Sequence, residues 1–274
     1  MMRYRAASFL AFLILFALLT LSLIPLAIMV VRSFKELYQV VESPIFLTLP
    51  LHWENYAKAW ELVRQFILNT IGLAIATVMG TLFFSSLTAY VFARYAFPGK
   101  DALFSVLIAL LMIPQVIGFV PSIAFVLKTL RLNNNWLGVL FPYWASGQAL
   151  AIYLLRSFFE RLPEEIYESA RLDGAGHLAL YCSLTLPLSG SILSVIAILN
   201  VINAWNDYVW PSIVLADPRK TTIAVGLVFL RDAANPQPGV EMAAYVIASI
   251  PMFILFLATM KTFVRGIQSG AIKA

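Results

Sequence analysis

Charge is what this chain has least of. Asp, Glu, Lys and Arg make up 12% of its 274 residues, against 61% hydrophobic ones, and the mean hydropathy is +0.85. Soluble domains carry about 25% charge, so a globular surface of this size would go half wetted, and the solvent that fits such a chain is itself apolar. Cysteine is nearly absent: Cys182 stands alone, which excludes an intrachain disulfide and a thiolate metal site. The two histidines, His52 and His177, have no second acid/base residue at helical or hairpin spacing, so neither catalysis nor metal binding by this chain is expected. No Gly-x-x-x-x-Gly-Lys-Ser/Thr run occurs, so the chain is not a phosphate-loop ATPase. The 19 basic residues, net charge +5, are scattered along the sequence, which is no footprint for nucleic acid.

What is abundant is long neutral sequence. A membrane-crossing helix needs about 20 mostly apolar residues, at about 1.5 Å rise each. Six stretches free of Asp, Glu, Lys and Arg meet or approach that length. They lie between Arg5 and Arg32, Arg64 and Arg94, Asp101 and Lys128, Arg131 and Arg156, Asp173 and Asp207, and Glu241 and Lys261. The first is too long for a signal-peptide core and lacks a small-residue cleavage site after it, so an uncleaved first helix is expected. The fold class is therefore an all-α integral membrane protein with six transmembrane helices. Pro25, Pro114, Pro121, Pro142 and Pro251 fall inside the runs. Each removes an N–H donor and favours a kink. Lysines and arginines divide almost evenly between the two sets of loops, so the charge rule for orientation decides nothing.

The segment 156–187, between the fourth and fifth runs, does not read as a linker. Pro163 suits a first helical position, and Glu164 and Glu165 follow where the helix dipole favours carboxylates. Arg161 with Glu165, and Glu168 with Arg171, have the spacing of helix-surface ion pairs, and Ile166 and Ala170 share a face. Gly174 after Asp173 is a helix stop. Beyond it Leu178, Tyr181 and Leu184 recur at helical spacing as far as Pro187. Two ordered elements in one loop cost entropy that a docking partner would offset; a solvated hairpin on the bilayer surface is the other reading.

The residues of this loop carry a resemblance. Glu168-Ser169-Ala170, Arg171-Leu172-Asp173, Gly174 and Leu184-Thr185-Leu186-Pro187 resemble the EAA motif of binding-protein-dependent ABC importer permeases: Glu-Ala-Ala, three residues, Gly, nine residues, Ile, one residue, Leu-Pro. Ser169 and Leu184 depart mildly from the pattern, and Asp173 and Ala175 resemble its frequent Asp-Gly-Ala core. Tyr95-Ala96-Phe97-Pro98-Gly99-Lys100, Met112-Ile113-Pro114, Trp205-Asn206-Asp207-Tyr208-Val209-Trp210-Pro211 and Phe263-Val264-Arg265-Gly266 with Gly270-Ala271-Ile272-Lys273 are similar to the maltose-type sugar (carbohydrate uptake) branch.

That resemblance implies the type I ABC importer permease fold, with both termini cytoplasmic, in a bacterial- or archaeal-type inner (plasma) membrane. It divides the chain into a first helix and external segment at 1–65, a five-helix transmembrane domain at 66–265 and a cytoplasmic tail at 266–274. The implied partners are a second homologous permease subunit, two cytoplasmic ATPase subunits that bind ATP and Mg, an external solute-binding protein and membrane lipid. The implied coupling residues are Glu168, Ser169, Ala170, Asp173, Gly174, Ala175, Leu186 and Pro187. Glu168 offers charge-assisted hydrogen bonds to an ATPase, and Ser169 and Ala170 allow close helix approach. Gly174 permits the bend, and Pro187 sets the angle of the fifth helix.

A sugar in transit needs hydroxyl partners and apolar or aromatic faces. Asn200, Asn203 and Asn206 form an i, i+3, i+6 polar stripe in the fifth run, and Gln115 is a comparable residue in the third. Interhelical hydrogen bonding is the plainer role for Asn200 and Asn203. For Tyr208 and Trp210 the plainer role is an interfacial aromatic belt. Asp207 is placed near the outer edge, as a gate, a binding-protein contact or a solvated residue. Segments 33–64 and 212–240, with Trp53, Tyr56, Trp60, Asn235-Pro236 and Pro238-Gly239, are landing surfaces for the binding protein or lipid-surface loops. An ion-coupled transporter or channel is the competing class. It would favour ionisable residues at mid-membrane and internal repeats, and the neutral runs show neither. A structural scaffold would leave the loop's spacing without a reason.

Overall fold

The structure, a computed structural model, describes residues 2–230 and 236–271, with side chains for 9, 11–230 and 236–260. Expectations resting on Asn235, on the side chains of Arg3, Arg5 and 261–271, and on Ile272 and Lys273 fall outside these residues. The chain runs through α1 (Met2–Ser33), α2 (Leu37–Glu42), α3 (Glu54–Arg94), α4 (Lys100–Met112), α5 (Gln115–Ala124) and a π-helical turn at Phe125–Thr129. There follow α6 (Trp136–Phe159), α7 (Glu164–Leu172), α8 (His177–Ala179), a second π-helical turn at Leu180–Thr185, α9 (Leu186–Leu188) and α10 (Gly190–Asn206). The rest is α11 (Val209–Val214), a 3₁₀ turn at Pro218–Lys220, α12 (Ile223–Phe229) and α13 (Pro238–Ala271).

Among the described residues, four helices are long and apolar enough to cross a membrane: Ala11–Ser33 within α1, Glu54–Arg94, Trp136–Phe159, and Pro238–Met260 within α13. Each of the two remaining expected spans is a sharply bent helix pair. Lys100–Met112 meets Gln115–Thr129 at 95°, and His177–Leu188 meets Gly190–Asn206 at 75°. The first break has a local cause. Ile113 is extended (φ −80°, ψ 120°), as a residue before proline prefers, and Pro114 (φ −61°, ψ 128°) opens α5 without an N–H to bond. The kink expected at Pro114 is thus a full break, whereas Pro25, Pro121, Pro142 and Pro251 stay inside continuous helices. The second break sits at Ser189 (φ −101°, ψ 13°), two residues beyond Pro187.

The described residues form two compact units, one from Met1–Gln65 with Gly226–Pro251, the other from Phe66–Val225 with Met252–Ala274. In the first, the most apolar window of α1 has none of its residues buried, so its Phe and Leu side chains face an apolar solvent. The segment after α1 is held by buried polar groups. Lys35, wholly buried, donates to the carbonyls of Ser43 and Phe46. Asn55 donates to the carbonyls of Ser33 (3.0 Å) and Lys35 (3.1 Å), and Gln39 to that of Pro50 (3.0 Å). Burial, with Arg32 nearby, lowers the Lys35 ammonium pKa. Of the aromatics expected outside, Trp53 and Trp60 are exposed, while Tyr56 turns inward to Ser33 Oγ at 2.7 Å.

In the second unit, α3 and α6 share two apolar clusters. One joins Ala89, Tyr90 and Phe92 of α3 to Ile152, Leu155 and Phe159 of α6, with Tyr167 and Leu180. The other joins Leu73 to Val139, Leu140, Trp210 and Val214. Asn69 ties this second end by donating to the carbonyls of Arg219 (2.8 Å) and Thr221 (2.9 Å). Gly138 is needed where the chain crosses itself. A Cβ there would lie 2.5 Å from the Leu132 carbonyl oxygen and 2.9 Å from Val214 Cγ1. Gly138→Ala is therefore expected to destabilise the protein by about 1–3 kcal/mol, read as a lower midpoint of thermal unfolding in detergent; an unaltered midpoint would show that the Leu132 turn yields without cost.

Candidate coupling loop and translocation cavity

The loop expected to be structured is structured, and its local chemistry explains why. Glu164 and Glu165 open α7, with Pro163 as the residue before it, one position outside the expected helix. The other end is closed by two backbone bonds, Gly174 N to Arg171 O at 3.0 Å and Ala175 N to Ala170 O at 2.9 Å. This is the paired pattern of a glycine-terminated helix, and it requires the left-handed φ of +86° that Gly174 adopts. Tyr167 is fully buried in the first cluster, while Glu165, Glu168 and Ser169 face outward. Ala170 packs beside the cluster, and so do Ala175 and Leu186. Asp173 is the exposed C-cap.

The two ion pairs read from spacing are replaced by others. Arg161 precedes the helix, so it has no i+4 relation to Glu165 on a helical surface. Arg171 pairs with Glu164 at 3.0 Å rather than with Glu168, and Glu164 also accepts from Arg94 at 2.6 Å. Glu168 and Ser169 are thereby left on the outer face, Ser169 donating only to the Glu165 carbonyl at 2.8 Å. Past Gly174, Leu178 is 72% exposed, so the expected apolar face begins only at Leu180 and Tyr181. Tyr181, buried, lies 2.7 Å from Ser86 Oγ, which itself donates to the Leu82 carbonyl, so the phenol is the donor.

A cavity of about 530 Å³ lies in the second unit. Gln115, Asn200 and Asn203 line it, and Asn206 does not. Helix geometry gives the reason: at about 100° per residue, Asn206 is rotated some 120° from Asn200, whereas Asp207 returns to within about 20° of it. Asn206 instead donates to its own helix, to Ile202 O at 2.8 Å. Asp207, expected at the outer edge, is a wall of the cavity. Its Oδ2 accepts from Tyr143 Oη at 2.8 Å and its Oδ1 from the Trp210 amide at 3.2 Å. Tyr143 escaped the sequence reading because it sits in an apolar run. Its signal was the stripe Tyr143, Gly147, Leu150 and Leu154 on one face of α6, all of which line the cavity.

Asn200 has the interhelical role expected of it, in part. Its Nδ2 donates to Ile196 O at 2.9 Å, and its Oδ1 lies 3.4 Å from Thr81 Oγ1. Asn203 makes no side-chain hydrogen bond among the described residues, so its amide is free to meet a solute. Trp210 is no belt residue: it is 5% exposed, with its indole N–H on the Gly138 carbonyl at 3.1 Å. Tyr208 does stay exposed.

The histidines have partners that spacing did not reveal. His52 Nδ1 lies 2.8 Å from Glu54 and 3.5 Å from Glu36, and His177 Nδ1 2.6 Å from Tyr95 Oη. The ligand-type atoms of Glu36, His52 and Glu54 come within 4.8 Å of one another, and a hydrogen-bonded surface cluster accounts for that geometry.

Comparison with known proteins gives this geometry a family. Residues 82–269 match the family described as binding-protein-dependent transport system inner membrane component. The probable ABC transporter permease protein YurM of Bacillus subtilis is 32% identical over 91% of this chain and 83% of its own length. The sn-glycerol-3-phosphate transport system permease protein UgpE of Yersinia pestis is 31% identical, covering 90% and 91%. The arabinooligosaccharides transport system permease protein AraQ of Halalkalibacterium halodurans is 30% identical, covering 97% and 94%. The fold is that of a chain in the crystal structure of a bacterial ABC transporter involved in import of the acidic polysaccharide alginate, with TM-score 0.83 and 21% identity over 94% of this chain and 96% of that one. Broken spans, polar cavity and glycine-capped loop helix are thus parts of an inner-membrane permease, and this chain belongs to the family of binding-protein-dependent transport system inner membrane components.

Proposed function

We propose that the chain forms half of the path of an ATP-driven importer for a sugar or a related polyhydroxylated solute, and that α7 is its contact with the ATPases. The observation that carries this reading is α7 itself. One buried tyrosine fixes it to the core, and the opposite face, with Glu165, Glu168 and Ser169, is uncovered. Glu168 offers an unpaired carboxylate to a basic or amide group, and the small Ser169 lets a partner helix approach. Asp173, Gly174 and Ala175 end the helix sharply, while Leu186 and Pro187 carry the chain into the broken fifth span.

Two cytoplasmic ATPase subunits supply the hydrolysis and hold ATP and Mg²⁺; this chain is a non-catalytic transport subunit. A second homologous permease completes the path, an external binding protein delivers the solute, and both termini lie in the cytoplasm. Relatives named for arabinooligosaccharides and diacetylchitobiose support a sugar. So does the chemistry of the cavity, where the amides of Gln115 and Asn203 and the hydroxyl of Ser146 stand among Phe119, Tyr143 and Trp210. That combination suits a ring with hydroxyl edges and apolar faces.

Three measurements test the reading. With the ATPase genes deleted, uptake into cells should vanish; persisting uptake would sink it. In reconstituted vesicles Gly174→Val should leave membrane insertion intact and lower uptake about tenfold. Nothing lies within 4 Å of the added Cβ, so the strain of about 1–2 kcal/mol in a left-handed position falls on the cap alone. Asn203→Leu removes the free amide of the cavity and should cut uptake about tenfold with no loss of thermal stability; equal uptake would remove Asn203 from the pathway.

A further inference from the structure

The start of α7 is fastened by one side chain from far away in the sequence. Arg94 is the last residue of α3, and its side chain is 8% exposed. Nη1 donates to Glu164 Oε2 at 2.6 Å, and Nη2 to the carbonyls of Phe159 and Leu162 at 2.7 and 3.0 Å. The guanidinium carbon stands 3.9 Å from the centre of the Tyr167 ring. One carbonyl is that of the last residue of α6, the other belongs to the turn before α7, the carboxylate is that of the first residue of α7, and the ring is that of its one buried residue. A single cation therefore binds the end of α3 to every part of the start of α7. Tyr167 is fixed at its far end as well. Thr185 Oγ1 donates to the Leu180 carbonyl at 3.0 Å, so the tyrosine hydroxyl, 2.9 Å away, donates to Thr185.

Only arginine has the shape for this. Its planar fork meets two carbonyls and a carboxylate while its flat face lies on a ring; a lysine ammonium keeps the charge but has neither the fork nor the face. Above the latch, α3 runs without interruption to the cavity, where Thr77 is part of the wall and Thr81 faces Asn200. Thr77 and Arg94 are about 25 Å apart along the helix axis. The latch is also incompletely satisfied, since Arg94 Nε is buried with no acceptor. A buried donor left unpaired is costly, and a second arrangement of α7 against α3 could relieve it.

We propose that Arg94 is the positioning residue that couples α7 to α3, so that a displacement imposed on α7 by the ATPases is delivered along α3 to the cavity wall. This rests on the reading of α7 as the ATPase contact.

The test uses the whole importer in vesicles: this chain with its partner permease, ATPases and binding protein. Uptake per ATP hydrolysed is measured for Arg94→Ala and Arg94→Lys, with ATPase co-purification as a separate readout. Arg94→Ala is expected to retain the ATPases and to lower uptake per ATP about tenfold, and Arg94→Lys to fall between it and the parent. An unchanged ratio in either assembled variant overturns the proposal. If Arg94→Ala does not assemble, the ratio for Arg94→Lys decides alone. The underlying reading is checked independently by cross-linking Glu168→Cys, in a Cys182→Ser background because Cys182 is exposed, to the ATPases. Absence of that cross-link would count against α7 as the docking helix, whereas a cross-link with an unchanged transport ratio would count against Arg94 alone.

Discussion

A backbone inside a bilayer must satisfy its own hydrogen bonds, because lipid offers none. That constraint explains where this chain can be irregular. Its two broken spans are the expensive features, and residues from both line the same cavity: Leu111, Gln115 and Phe119 from the first, Ile196, Asn200 and Asn203 from the second. Non-helical backbone at membrane depth is tolerated where it borders a space that water can enter. The break at Pro114 and the cavity are therefore one feature, since Leu111 and Gln115 on either side of it line that space, whereas Ser189 lies outside the lining. Pro114 opens the wall and places Gln115 in it, while the bend at Ser189 sets the course on which α10 brings its asparagines to the same space.

The continuous helices do the opposite work. α6 is packed against α3 at both of its own ends, through the cluster around Leu155 and Tyr167 and the cluster around Val139 and Trp210. The cavity lies between these fixed ends and the broken spans. Side chains buried on α3 are mostly small, with Thr77, Thr81, Ser85 and Ser86 at most 2% exposed, so α6 can approach closely. Gly80 meets the Trp144 ring, and Trp144 donates to the Ala76 carbonyl at 3.0 Å. Contacts of this kind leave little room for one helix to bend without the other.

How much of this was legible in the sequence depends on the range of the interaction. Features decided within one or two turns could be read: the six apolar runs, the acidic start of α7, the glycine stop at Gly174 and the Pro114 distortion. Features decided by a distant partner could not. Arg94 was a loop-boundary charge until Glu164 and Tyr167 came beside it, and Tyr167 was unremarked between Ile166, which is exposed, and Glu168. The helical stripe failed in a different way. Asn200 and Asn203 were found by spacing, but the third asparagine lay one position short of the heptad return, and Asp207 occupied the place assigned to Asn206.

Asp207 joins the cavity to the apolar cluster beside it. Among the described residues it is the one carboxylate in a lining that holds no lysine, arginine or histidine. Tyr143 gives one hydrogen bond to it and the Trp210 amide another, so both of its oxygens are engaged by neutral donors. A carboxylate engaged in this way keeps acceptor capacity toward the cavity, which suits hydroxyl donors. The same side chain therefore caps α10, joins α6 to α11 and faces the cavity, a combined use that the i, i+3, i+6 stripe could not show.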